Sequence, residues 1–258
     1  MRPPFLSIAF FTILEAIRNR LLWLLLVTLV VGLGLAEFVG DIAITESTQY
    51  KSAILGAVLR LYAVWAVGLF VTTSLAREFS DKTLELTLAL PIPRATYYFG
   101  KLLGVAAIAL ATAVFIGSCM VLYVHFTQAA LWTVSLTCEL LVMAAFSLLC
   151  ALSFHQVTLS LSAAMGFYLL SRTIGAIRLI GHGPLMDPHS LAQKVLGQFA
   201  DLIAYILPEL YRFTPSHWLI YGYDGAAWPE LTPILSQTLI YLALLAGAGL
   251  FDLYRKSL

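Results

Sequence analysis

The sequence predicts an all-α, polytopic membrane protein, and three observations carry that prediction. Of 258 residues, 60% are hydrophobic and only 11% charged, whereas soluble domains carry about 25% charged residues. The apolar residues fall in long, nearly uninterrupted blocks, as a chain must if its helices are to lie in hydrocarbon. The charges gather in a few islands between those blocks, the largest being Arg77-Glu78-Phe79-Ser80-Asp81-Lys82-Thr83-Leu84-Glu85, running on through Leu90-Pro91-Ile92-Pro93-Arg94 to Gly100-Lys101. The net charge is +1 and no basic stripe carries interleaved aromatics, so nucleic acid is not an expected partner. No repeat, low-complexity run or separate soluble domain interrupts residues 1–258, which read as a single transmembrane domain.

Residues 4–20 come first and are amphipathic. Phe5, Ile8, Phe11, Ile13 and Ile17 offer an apolar surface, while Ser7, Glu15, Arg18, Asn19 and Arg20 are polar and crowd its end. The segment reads as an interfacial helix in the headgroup plane; the plainer alternative is an extension of the first span. No small-residue cleavage site follows, so a signal peptide is not expected.

Six spans follow, at 21–36, 53–76, 102–124, 131–154, 157–176 and 233–250. A spanning helix needs about 20 residues, so the first and last are expected to extend or tilt. The fourth and fifth form a tight hairpin, joined by little more than His155-Gln156. Between the fifth and sixth lies a long segment, 179–232. Within it, residues 195–210 read as an amphipathic helix ended by Pro208, followed by Trp218, Tyr221, Tyr223 and Trp228. Aromatics at this density suit a membrane interface. A re-entrant or interfacial helix with a lid-like loop is expected there, with Trp218, Tyr221 and Trp228 as an outer gate at headgroup level.

Orientation follows from the basic residues. With the amino terminus inside, nine lie inside (Arg2, Arg18, Arg20, Arg77, Lys82, Arg94, Lys101, Arg255, Lys256) and four outside (Lys51, Arg178, Lys194, Arg212). Both termini and the 77–101 loop are therefore expected in the cytoplasm, and 179–232 outside. Cys119, Cys138 and Cys150 sit in apolar runs and read as buried reduced thiols.

Gly100-Lys101-Leu102 lacks the upstream glycine and the hydroxyl of a P-loop, so the chain is not expected to be an enzyme or to bind ATP itself. His182, Met186, His189 and His217 are of types that suit copper, but loop histidines are commonly plain surface residues, and no metal site is expected. Arg60, Glu139 and Arg172 lie inside spans, where each costs roughly 2.5–3.5 kcal/mol at a helix centre. They must face protein, water or one another. One reading is a polar translocation path including Thr72, Thr73, Ser160 and Ser162. The other is a structural ion pair, or snorkelling of the arginines.

The charged island is more than a solvated linker, because Leu84, Leu86, Leu88 and Leu90 interleave with polar residues directly after the charged turn. Exposed leucines of this kind suit docking onto another surface. At these residues the chain resembles the permease subunits of type-2 ATP-binding-cassette exporters, whose pattern is roughly R-E-x-x-x-G/K-T-L-E-x-L-L-x-x-P-I-x-R and then G-K-x-x-x. Phe11-x-x-x-Glu15-x-x-Arg18-Asn19-Arg20 is similar to that family as well. Leu207-Pro208-Glu209-Leu210-Tyr211-Arg212-Phe213-Thr214 and Trp218-Leu219-Ile220-Tyr221-Gly222 resemble the branch that includes the permease of the nitrous-oxide-reductase maturation transporter.

The resemblance implies a cytoplasmic coupling helix that fits a groove on the ATPase, with Arg77, Glu78, Asp81, Lys82, Thr83, Leu84, Glu85, Pro91 and Arg94 as coupling residues. It implies two copies of a separate ABC ATPase, which carry ATP and Mg, a second copy of this or a similar permease, surrounding lipid, an extracytoplasmic protein, and residence in the cytoplasmic (inner) membrane. An ion-coupled secondary transporter is the weaker rival, for no inverted repeat or broken helix stands out. A non-transporting membrane anchor for an ATPase, in metalloenzyme maturation or signalling, is a further alternative. No residue decides the substrate.

Overall fold

The computed structural model describes residues 4–19, 21–42, 47–83, 93–154, 156–181, 191–214, 217–220 and 227–255. Every regular element among them is helical: α1 (Pro4–Arg18), α2 (Leu21–Ile42), α3 (Ser47–Ser80), α4 (Arg94–Met120), α5 (Phe126–Phe154), α6 (Val157–Gly181), α7 (Leu191–Ile206), a 3-10 turn (Leu210–Phe213), α8 (His217–Ile220) and α9 (Ala227–Arg255). Five are long and apolar enough to cross a membrane: α3 from Lys51, α4, α5, α6 to Leu179, and α9 from Trp228. In α2 the shorter stretch Leu25–Leu35 is apolar.

The helix α5 is the centre of the bundle and touches α3, α4, α6 and α9. Its apolar stretch is 72% buried within the chain, against 17% for α9. The helix α5 buries residues along most of its length; α9 leaves Leu239, Ile240, Leu244 and Phe251 exposed, a face that only lipid or another chain can cover. The ends of α4, α5 and α9 near the 77–93 connection are tied together. Arg94 donates to the carbonyls of Leu253 (3.2 Å) and Tyr254 (3.4 Å) in the last turn of α9, and Ser153 donates to Asp252 (3.1 Å). Carbonyls of a last helical turn have no partner in their own helix, so a guanidinium there satisfies them.

The amino-terminal helix is held by small residues. Ala9, Thr12 and Ala16 are its buried positions, and they meet α4 across Gly100 and Gly104. A Cβ on Gly104 would lie 2.7 Å from the Cβ of Thr12, and one on Gly100 would lie 2.9 Å from the carbonyl oxygen of Phe5. Gly100-x-x-x-Gly104 is thus a close-approach motif that lets two helix backbones touch without a hydrophobic driving force. The opposite face of α1 exposes Phe10, Phe11, Leu14 and Ile17.

Several boundaries differ from the sequence reading. The stretch 77–101 is not one loop: Arg77–Ser80 are the last turn of α3, and Arg94–Lys101 open α4. Polar residues can continue a helix beyond its apolar stretch, because the backbone remains hydrogen-bonded wherever the side chains find water. The intervening Leu84, Glu85 and Pro91, and with them the expected short docking helix, lie outside the described residues. The amphipathic helix before Pro208 spans Leu191–Ile206, not 195–210, and Leu210 belongs to the following 3-10 turn. The last long helix begins at Ala227, six residues before Pro233, which it carries internally.

Candidate functional site

Two charged clusters sit on α3, one at Arg60 within the helix and one at Ser74 and Glu78 in its last turns. The first is enclosed around Arg60 and Glu139. Arg60 on α3 donates to Glu139 on α5 at 2.7 Å, to the carbonyl of Phe213 at 2.8 Å and to that of Trp132 at 3.5 Å. Its guanidinium carbon lies 5.0 Å from the centre of the Trp132 ring. Arg172 on α6 approaches the other carboxylate oxygen at 3.4 Å and donates to the Tyr168 hydroxyl at 3.0 Å. Side-chain exposure is 2% for Arg60, 0% for Glu139 and 30% for Arg172.

The residues read as path or ion pair are therefore brought together as an Arg–Glu–Arg triad. Arg60 does not snorkel; its charge is met inside the protein, as a deeply buried ion requires. The Phe213 carbonyl also accepts from Ser135, so the 3-10 turn is pinned into the bundle by two donors. Further along α6, Arg178 pairs with Asp201 (3.0 Å) and Glu209 (3.5 Å), joining α6 to α7 and the turn.

The second cluster lies beside the 77–93 connection. Lys101 on α4 is 3% exposed and lies 2.5 Å from Glu78, 3.0 Å from the Ser74 hydroxyl and 3.6 Å from Glu15. Ser74 donates to Glu15 at 2.7 Å, and the Tyr97 hydroxyl donates to Glu78. One ammonium and two carboxylates, 27% and 23% exposed, thus bind α1, α3 and α4 into one unit. The sequence reading missed Glu15, Ser74, Tyr97 and Lys101 as a set. The signal was present: Ser74 and Glu78 are four apart, as are Tyr97 and Lys101, and such pairs share a helix face.

The connection leaves α3 through a strained turn. Lys82 has φ +55°, and its N–H reaches the carbonyl of Phe79 at 3.2 Å. A residue in the left-handed region just past a helix end is usually glycine, because a Cβ is strained there. That explains physically why the resembling pattern allows glycine at this position.

The other predicted site residues separate. Thr72 and Thr73 bond carbonyls of their own helix, and Ser160 bonds those of Cys150 and Gln156. Thr72 and Ser160 are buried inside one chain, whereas Ser162 is exposed. Asp81, Lys82 and Thr83 are exposed, but Glu78 turns inward to Lys101 and Arg94 to α9.

Trp218 corrects the expected outer gate. It is 1% exposed, with its indole N–H donated to Glu230, and α8 packs against α3 and α5. A buried indole brings a large apolar area and needs one hydrogen-bond partner, which Glu230 supplies. Trp228 is 73% exposed. Tyr221, His182, Met186 and His189 lie outside the described residues, and among those described no group of three or more metal-ligating side chains occurs. Cys119, Cys138 and Cys150 are free thiols; Cys138 and Cys150 are buried as expected, whereas Cys119 is half-buried.

No curated protein matches the chain. The model of the family described as ABC-2 family transporter protein matches residues 37–250, which takes in both clusters except Glu15. Several long apolar helices and this match make the chain a multi-pass membrane component, not an ATPase, and imply a partner ABC ATPase. The chain belongs to the ABC-2 family of transporter proteins, as the permease component of an ABC transporter.

Proposed function

We propose that two permease chains and two copies of a cytoplasmic ABC ATPase form an exporter, and that residues 77–101 carry the ATPase's movement into the bundle. The observation that carries this reading is the Glu15–Ser74–Glu78–Lys101 cluster. It lies one turn behind the exposed Asp81–Thr83 corner and holds α1, α3 and α4 together, so a push on the connection moves three helices as one body. ATP and Mg act on the partner and shift the permeases only through contacts that differ between inward- and outward-facing states.

In this reading α2 is a sixth crossing, α1 lies at the interface, both termini are cytoplasmic, the membrane is the cytoplasmic one, and residues 1–258 act as one domain. The basic-residue bias supports that orientation. The substrate path runs between the two permeases. Ser162 and the partly exposed Arg172 are its candidates in this chain, with Trp228 at the outer rim, while the sealed residues of the triad form framework. Within the family we favour the metalloenzyme-maturation branch, on the residues 207–222.

Leu84→Asp tests the docking surface. In the proposed dock Leu84 meets an apolar groove of the ATPase, where a carboxylate without a partner costs several kcal/mol. Recovery of the co-expressed ABC ATPase with the purified variant is expected to collapse, together with stimulated ATP hydrolysis. Undiminished recovery and hydrolysis would sink the assignment.

A further inference from the structure

We propose that the groove between the last turns of α1 and α3 binds the headgroup phosphate of an anionic glycerophospholipid. The groove encloses about 320 Å³ and is lined by Phe11, Leu14, Glu15, Arg18, Asn19 and Arg77. Both arginines are exposed, and neither forms an ion pair among the described residues. The groove's single carboxylate, Glu15, is engaged by Ser74 and Lys101. Two guanidinium forks therefore line a concavity whose one carboxylate is already engaged elsewhere, and such forks match the oxygens of a phosphate.

The flank of the groove says what the phosphate is attached to. Phe10, Phe11 and Ile17 are 51%, 66% and 58% exposed, and the next helix exposes Trp23, Val27 and Val30. An apolar face of this extent beside a cationic groove suits an amphiphile, with acyl chains on Phe11 and Leu14 and the phosphodiester on Arg18 and Arg77. A zwitterionic headgroup brings an ammonium for which the groove has no uncommitted acceptor carboxylate. A free phosphate brings nothing for the aromatic face. The inference stands apart from ATPase docking, since it requires only that this end of the bundle meet a leaflet.

The test uses the full chain, purified in detergent and titrated with phosphatidylglycerol, phosphatidylcholine or inorganic phosphate. Bound lipid is counted by native mass spectrometry, and the thermal shift is followed in parallel. Phosphatidylglycerol is expected to bind at least tenfold more tightly than phosphatidylcholine. Arg18→Gln with Arg77→Gln is expected to remove that preference and the associated thermal shift. If the double variant is not monodisperse, each single variant is measured and expected to weaken binding at least threefold.

Equal binding of the two lipids by the wild type overturns the proposal. So does a double variant, or both singles, binding phosphatidylglycerol as the wild type does. Protection by inorganic phosphate equal to that by lipid overturns the lipid assignment. Loss of ATPase recovery with lipid binding intact would give the groove to the partner protein instead.

Discussion

The two charged clusters on α3 are built on opposite plans. Arg60 and Ser74 are separated by about 21 Å of helix at 1.5 Å per residue. The far cluster has two cations and one carboxylate, with Arg60 and Glu139 almost wholly enclosed. The near cluster has one cation and two carboxylates, each about a quarter exposed. Enclosure makes the Arg60–Glu139 pair the indispensable part of the first, because no water reaches either charge, whereas Arg172 at its edge is 30% exposed. Partial exposure gives the second a way to rearrange, since a carboxylate released from Lys101 can be hydrated. The sealed cluster therefore suits a fixed joint between α3, α5, α6 and the 3-10 turn. The open one suits a joint that must transmit movement without locking.

The largest effect is expected at the sealed joint. Glu139→Gln leaves the buried Arg60 guanidinium without its carboxylate and should cost about 3–5 kcal/mol, the usual loss when one partner of a buried pair is removed. Thermal unfolding of the solubilised chain measures this. Arg60→Met combined with Glu139→Leu should recover much of the loss, because a buried ion pair replaced by apolar groups of similar volume is often tolerated. A Glu139→Gln chain as stable as the wild type would erase the distinction between the clusters.

A smaller loss of stability and a larger functional one are expected from Lys101→Met. Removing one hydrogen-bonding partner of this kind costs about 1–3 kcal/mol, tempered by the water that reaches Glu15 and Glu78. ATP hydrolysis stimulated by the permease should nonetheless fall to its basal rate, because α1, α3 and α4 no longer move together. Parallel measurements of unfolding and hydrolysis sharpen the comparison. It breaks if Lys101→Met destabilises as much as Glu139→Gln while hydrolysis stays normal.

The smallest effect should lie at the corner itself. Lys82→Gly relieves a left-handed residue and should add about 1 kcal/mol to stability, with ATPase recovery unchanged. A destabilised variant would show that the lysine side chain contributes more at that corner than its backbone strain costs.

Much of this was legible in the chain. Apolar blocks place α3 to α6 and α9, since a membrane-spanning helix must be both long and apolar and leaves a signal no soluble helix does. Arg60, Glu139 and Arg172 could be singled out because charge within such blocks is costly. Trp218 was misplaced for an equally physical reason: an aromatic between spans has the same composition whether it lies at a headgroup or fills the core beneath α8. Glu78 and Arg94 read as surface charges because their partners, Lys101 and the final carbonyls of α9, are 23 and 159 residues away.

The sequence by itself determined the class of molecule, its helices and which side chains must find an electrostatic partner, because hydrocarbon penalises each unpaired group wherever it falls. Only the tertiary structure decided which partner each one found. Pairing depends on the rotation and depth of packed helices, and those are set by contacts such as Gly104 against Thr12. Close packing of that kind closed one cluster around Glu139 and left the other, around Lys101, open at its edge.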